Sequence, residues 1–344
     1  MSTATAPSPR LSGPSGPPAR RVIAVVVLVP LLAALALWAF AWPAARTAPR
    51  DLPLGVAGPA AAVTQMEKEL AAHKGAFEIH RYADEAAARA AVEDRTVYGA
   101  VVATPRGPEL LTASAASPVV AQLLQQAVTR QAATHGAEAR VVDVVAAPAK
   151  DPRGAALGAS VLPLALSGIA AGAAVTVLGL RGVRAATALV GAAALVGLAG
   201  AGIAHSWLGV LAGDWWAEAG TLALSTLAVS AAVAGCAALL GPAGIGLVAL
   251  TVMFIGNAFS GAASAPQMLP EPAGEIGRWL PPGAGTTMLR SVSFFDGAAA
   301  TGPALTLTWW AALGIGAVLV GDPLRNRTEH RTPAAGEREP VLAS

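Results

Sequence analysis

The stretch VIAVVVLVPLLAALALWAFAW, residues 22–42, decides the fold class, because all 21 residues are uncharged. At about 1.5 Å per residue, a helix of that length covers the ~30 Å hydrocarbon core of a bilayer. Arg20 and Arg21 stand just before it, and Trp38 and Trp42 lie near its far end. Those are the places for a cytoplasmic positive flank and an interfacial aromatic belt. Pro30 predicts a kink. A cleaved signal sequence is the competing reading, since small residues follow at Ala44 and Ala45, but its apolar core normally runs only about 7–15 residues. Residues 1–21 are rich in Pro, Ser and Gly and carry Arg10, Arg20 and Arg21 with no acid. That composition predicts a disordered, basic cytoplasmic tail.

The rest of the chain fits a membrane protein. Charged residues make up 13% of the 344, about half the ~25% of soluble domains. The net charge of +2 comes from 23 basic and 21 acidic residues, a balance that gives no footprint for nucleic acid. Cys236 is the single cysteine, so neither an internal disulfide nor a cysteine zinc cluster is available.

Residues 43–154 change character. Between 44 and 153 lie 12 of the 23 basic and 12 of the 21 acidic residues, which predicts a water-exposed domain. Strands are expected at 52–57, 77–82, 97–103, 109–112 and 141–145. Helices are expected at 61–74, from Asp84 as a cap to about Arg95, and from Ser117 as a cap to about 134. This is a small α+β domain with helices on a sheet, whose strand order the chain order leaves open.

Apolar runs return at about 157–180, 185–205, 217–240, 243–261 and 303–321. The first two are separated by Arg181-Gly-Val-Arg184, a basic turn that reads as cytoplasmic. The next turn, with Trp207, Asp214, Trp215, Trp216 and Glu218, is acidic and aromatic and reads as outer. Gly241-Pro242 breaks the chain at the inner face. The last run ends before Arg325, Arg327, His330 and Arg331, again basic. The expectation is an α-helical polytopic membrane protein of six transmembrane helices. The first is 22–42, the α+β domain is extracytoplasmic between the first and second, and the other five form a permease domain over 155–322. A cytoplasmic tail follows at 323–344. The site is the plasma membrane, with both termini inside.

The outer loop 262–302 is unusually apolar for a loop. Its core, SAPQMLPEPAGEIGRWLPPGAGTTMLRSVSFFDGA (264–298), is punctuated by Pro270, Pro272, Pro281 and Pro282, and a short helix capped near Thr286 is expected over 284–295. Neither half is long enough to span, so the loop reads as interfacial or re-entrant. Gly154 with Gly158, and Gly168 with Gly172, are four apart on a helix face and predict close helix packing.

Catalytic chemistry is not indicated. Lys68, Lys74 and Lys150 are the only lysines, and none sits in a phosphate-binding Gly-x-x-x-x-Gly-Lys-Ser/Thr frame. No Gly-x-Ser-x-Gly elbow is present. The histidines at 73, 80, 135 and 330 lack metal-ligand spacing. His205 reads as an interfacial side chain. The spans hold almost no ionisable residue, which argues against proton coupling. No enzyme, cofactor or metal site is expected.

The layout resembles the ABC type-2 transporter permease family, in particular its phage-infection-protein-like members. The run RYADEAAARAAVEDRTVYGAVV (81–102) is similar to that family's ectodomain pattern. The run MLPEPAGEIGRWLPPGAGTTMLRSVSFFDG (268–297) is similar to its segment between the fifth and sixth spans. The resemblance implies an exporter half: two membrane subunits pair as a homodimer or heterodimer in the lipid bilayer, and a separate ATP-binding subunit supplies energy for an unknown substrate. On this reading Arg181 and Arg184 are the cytoplasmic contact with the ATPase. Trp279, Pro281, Pro282, Leu289, Arg290 and Phe294 form an outer gate, and Gly168 and Gly172 pack helices. The alternative is a non-transporting envelope protein whose ectodomain binds a wall component or partner.

Overall fold

A computed structural model describes residues 19–329 apart from 135, with side chains described for 22–321. The tail residues read at 1–18 and 330–344, His135, and the side chains of Arg20, Arg21, Asp322, Arg325 and Arg327 lie outside the described residues.

Five helices are long and apolar enough to cross a membrane. They are α1 (Ala19–Ala45), α5 (Ala155–Val177), α6 (Gly182–Ala201) with a π-helical turn over Gly202–Trp207, α7 (Trp215–Leu240) and α11 (Thr301–Glu329). The segment read from sequence as 243–261 is shorter: α8 (Pro242–Leu250) followed by a π-helical turn over Thr251–Gly256. A helix crossing the membrane alone needs about 20 residues. Local chemistry sets the ends of α7. The Asp214 side chain accepts a 2.8 Å hydrogen bond from the Ala217 N–H, capping the first turn. Gly241 ends the helix at φ 73°, a conformation that favours glycine, and Pro242 opens α8 in its first turn.

Most of α7 is buried, and its neighbours approach it through glycines. A β-carbon at Gly168 of α5 would sit 2.8 Å from Val229, and one at Gly172 would sit 2.5 Å from the Ser230 carbonyl. At Gly197 of α6 it would lie 2.3 Å from the Ala219 carbonyl, at Gly244 of α8 2.4 Å from the Cys236 carbonyl, and at Gly314 of α11 2.3 Å from Ala231. Helices surrounded by lipid associate by such close backbone packing, because lipid is as apolar as any side chain they could bury.

Between α1 and α5 lies a five-stranded mixed sheet. It comprises β1 (Leu52–Ala57), β2 (Phe77–Tyr82), β3 (Gly99–Thr104), β4 (Gly107–Thr112) and β5 (Arg140–Asp143), in the order β2-β1-β3-β4-β5. The helices α2 (Ala60–Ala71) and α3 (Glu85–Glu93) carry the chain between strands that run parallel, while β3 and β4 pair antiparallel across a tight turn. The helix α4 (Pro118–Thr134) returns the chain to β5, parallel to β4. Both faces are covered. Leu52, Leu54, Val101 and Leu110 pack with Val120 and Leu124 of α4 and with Met66 and Leu70 of α2. Ala57, Ala100, Val102 and Leu111 face Ala88, Ala91 and Val92 of α3. The odd–even split of Leu110 and Leu111 is the strand period of two. Asp84 caps α3 by accepting from the Ala87 N–H at 2.8 Å, and Glu85 pairs with Arg89 one turn on at 2.9 Å.

By contrast, α1 is almost bare, with Val22 to Leu37 largely exposed. It joins the bundle near one end, where Ala39 is buried and Trp42 meets the Phe259 ring edge-on at 6.2 Å.

The glycine packing yields a matched pair on one helix. Gly314→Val forces α11 off α7 and is expected to cost about 1–3 kcal/mol, as overpacking does. Gly316→Val meets nothing within 4 Å and should leave the apparent Tm in detergent nearly unchanged. Equal Tm values for the two variants would contradict this packing.

Candidate functional site

Beyond Gly256 the chain leaves the bundle for the sheet and comes back. A short 3-10 turn, Pro266–Met268, reaches the sheet, where Ala265 and Met268 are buried in the core shared with Leu52 and Leu110. The Ala48 and Arg50 backbone N–H groups donate to the Met268 and Gln267 carbonyls at 3.1 and 2.9 Å. The chain then turns back as α9 (Ala273–Trp279) and α10 (Pro281–Phe294), a helical hairpin inside the bundle. Gly277 passes so close to Phe259, and Gly283 to Gly277, that a β-carbon at either would overlap a carbonyl oxygen. At the tip, Pro282 contacts Gly256, and Gly285 faces Ser225 of α7. Ser225 is ten residues into α7, so the tip lies about 15 Å below the sheet-bearing end. The Trp310 indole N–H, nine residues into α11, donates to the Trp279 carbonyl at 2.8 Å, which places the tip at the same depth. From there α10 climbs past Gly213 to Phe295, which is buried in the other core of the sheet, against α3.

The hairpin therefore hangs from both faces of one sheet. Its α10 starts at Pro281, earlier than the cap expected near Thr286, because Pro281 and Pro282 fit the first helical turn where no intrahelical N–H bond is needed. Of the residues expected to form a gate, Pro281, Pro282, Leu289 and Arg290 are buried and Phe294 is half-buried. Trp279 faces outward, 70% exposed. Pro281, Pro282 and Leu289 line a small apolar void of about 30 Å³ with Leu157, Val161 and Leu222. Arg181 and Arg184 are exposed at the bundle end remote from the sheet, at the turn into α6. Gly168 and Gly172 lie against α7.

A larger cavity, about 920 Å³, opens where the sheet, the hairpin and α11 meet. Arg95, Arg278 and Arg290 line it, with Tyr98, Trp279 and Trp309. Arg95 follows α3 with φ 59°, a left-handed position where glycine is usual. Its guanidinium donates to the Thr287 carbonyl at 3.0 Å and the Ser291 hydroxyl at 2.5 Å, and lies 5.2 Å over the Phe295 ring. Burial pulls its pKa below the ordinary arginine value. Arg290, 5% exposed, donates to the Ala262 carbonyl at 2.5 Å. Arg278 is paired with Glu275. The Tyr98 hydroxyl donates to Gln267 Oε1 at 2.9 Å, and burial raises the pKa of that phenol. Sequence reading singled out Arg290 and missed Arg95, whose partners are nearly two hundred residues away.

A second polar cluster joins two residues that the sequence leaves apart, Glu218 and His205. Glu218, expected in an outer turn, is wholly buried in the first turn of α7. One carboxylate oxygen accepts from the Gly213 N–H at 2.9 Å, and the other lies 2.8 Å from His205 Nδ1 on the π-helical turn after α6. Among the described residues, no group of three or more His, Cys, Asp or Glu side chains is placed to hold a metal. Comparison with family models, with curated proteins and with solved structures finds no match.

Glu218→Ala strands the Gly213 N–H and takes the partner from the half-exposed His205 imidazole, and should cost about 1–3 kcal/mol. Glu218→Gln keeps an acceptor for Gly213 and should lose less. Thermal unfolding of both variants in detergent checks the order, and an alanine variant as stable as wild type would refute the role given to the pair.

Proposed function

We propose that the chain is the membrane-spanning subunit of an ABC-type export permease, paired with a second membrane subunit and driven by a separate ATPase. The sheet stands outside the plasma membrane and both termini are cytoplasmic. The chain crosses six times, with α8, its π-helical turn and the stretch to Ala265 making the crossing that no single long helix makes. The observation that carries this reading is the hairpin of α9 and α10. Non-helical backbone at membrane depth is tolerated where protein buries it or where it lines a cavity, and the hairpin tip does both. On this reading the segment lodged there between α7 and α11, and held by the sheet above, serves as the exit gate.

Charge placement supports the orientation. Arg181 and Arg184 are exposed at the end remote from the sheet, while Asp214, Trp215 and Trp216 are at the sheet-bearing end. The bare surface of α1 offers room for the second subunit. These 344 residues hold no phosphate-binding loop, which fits energy supplied by a separate ATP-binding subunit. The rival reading, an envelope protein that binds through its sheet domain, leaves the hairpin without a task.

Purification from native membranes in mild detergent should bring down a stoichiometric ATP-binding subunit, and Arg181→Glu with Arg184→Glu should release it. A lone membrane protein at every detergent strength would overturn the proposal. In a Cys236→Ala background, Gln125→Cys and Glu275→Cys should react with an impermeant thiol reagent from outside, and Val183→Cys only after permeabilisation. Labelling at 183 in sealed cells would invert the topology.

A further inference from the structure

Two guanidiniums beneath the sheet have no anion to meet them. Among the described residues, no carboxylate comes within 4 Å of Arg95 or Arg290. Their hydrogen bonds go to carbonyls and to one hydroxyl. Arg278 differs, because Glu275 already balances it. Taking a guanidinium out of water is costly unless a counter-charge compensates, and here a buried one, Arg290, and a half-buried one, Arg95, stand on the wall of one cavity. The backbone adds its own sign. Arg95 holds a left-handed conformation that glycine would adopt without strain, and a strained residue of this kind persists where the surroundings require its side chain.

The cavity's shape says what kind of anion fits. Its volume of about 920 Å³ lies within the ~300–1,000 Å³ of ordinary ligand pockets. The rim on the α11 side is apolar and faces away from the bundle: Leu305, Trp309 and Trp279 are 65%, 66% and 70% exposed. That rim lies within the upper turns of α11, a helix long and apolar enough to cross a membrane. A soluble anion gains nothing from such an opening. A molecule with a charged head and an apolar tail gains at both ends.

The geometry points to an anionic lipid as the occupant, its phosphate held between Arg95 and Arg290 and its acyl chain leaving over Trp279 and Trp309. Guanidiniums suit phosphate, because their planar donors match its oxygens in pairs. The Tyr98 hydroxyl lies on the same wall. On the export reading this makes anionic amphiphiles the substrate class. That assignment rests on the export reading, whereas the binding itself does not.

The test uses the full chain reconstituted in phosphatidylcholine vesicles, into which phosphatidylglycerol or phosphatidylcholine with brominated acyl chains is titrated. Bromine quenches tryptophan fluorescence on contact. Brominated phosphatidylglycerol should quench saturably, at a mole fraction about tenfold lower than brominated phosphatidylcholine, the size expected from charge-assisted hydrogen bonds. Arg95→Gln with Arg290→Gln should erase that preference. Trp309→Phe leaves both arginines in place, so it stays informative if the double variant fails to fold. It should lower the quenched amplitude without moving the half-saturation point. Equal quenching by the two lipids, an unchanged amplitude in Trp309→Phe, or a preference that survives in a folded double variant would overturn the inference. Full displacement by millimolar inorganic phosphate would also overturn it, by identifying a soluble anion instead. A lipid preference without a copurifying ATP-binding subunit removes the export reading and keeps the lipid site. A copurifying ATP-binding subunit without the preference does the reverse.

Discussion

Close approach to α7 is the constraint on which the rest of the molecule depends. A helix bundle in lipid gains little by hiding apolar side chains from its surroundings, so cohesion comes from atoms in contact. Here α5, α6, α8 and α11 each present glycine to the backbone or β-carbons of α7, and Gly285 of the hairpin does so at Ser225. Much of the small-residue composition of the spans thus serves close approach to one helix, while glycines such as Gly316 meet nothing. It also explains how a short α8 and an inserted hairpin share the space around one helix. Bulky side chains at those glycines would leave no room for them.

The hairpin binds the two halves of the molecule into one mechanical unit. Met268 enters one core of the sheet and Phe295 the other, so the two ends of the hairpin cannot move apart without breaking the sheet's packing. Arg95 adds a polar clamp from the end of α3 to the middle of α10. Movement of the hairpin tip between α7 and α11 therefore entails movement of the sheet as a body. The cavity lies at this joint, walled by all three parts, and its filling bears on their relative position.

Much of this was legible in the sequence, for physical reasons that differ by element. β1 and β2 fall at 52–57 and 77–82, as expected, since each is a short apolar or alternating run between turn residues. The long spans follow from uninterrupted apolar length. The segment after Gly241 looked equally apolar, yet its helix stops at Gly256, where Pro282 of a distant segment packs against a bare α-carbon. Glu218 reads as an exposed turn charge because hydropathy counts a charge without knowing its partner, and His205 is thirteen positions away across a turn. The order of the strands, the depth of the hairpin tip and the pairing of Arg95 with α10 all depend on contacts between segments far apart in the chain. Local pattern carries no record of those.

The slender attachment of α1 has a consequence of its own. The apolar part of this helix runs over 24 residues, Val22–Ala45, or about 36 Å, against a hydrocarbon core of about 30 Å. The excess is absorbed by tilting, and tilt is normally fixed by neighbouring helices. Among the described residues, α1 meets the bundle near one end, at Trp42 and Phe259. Where no second subunit covers α1, its inclination follows bilayer thickness, and its one contact is at the ring of Phe259, whose backbone lies against Gly277 of the hairpin. On an uncovered α1, a change in lipid thickness would bear on that contact, and so on the hairpin beside it, without any molecule entering the cavity.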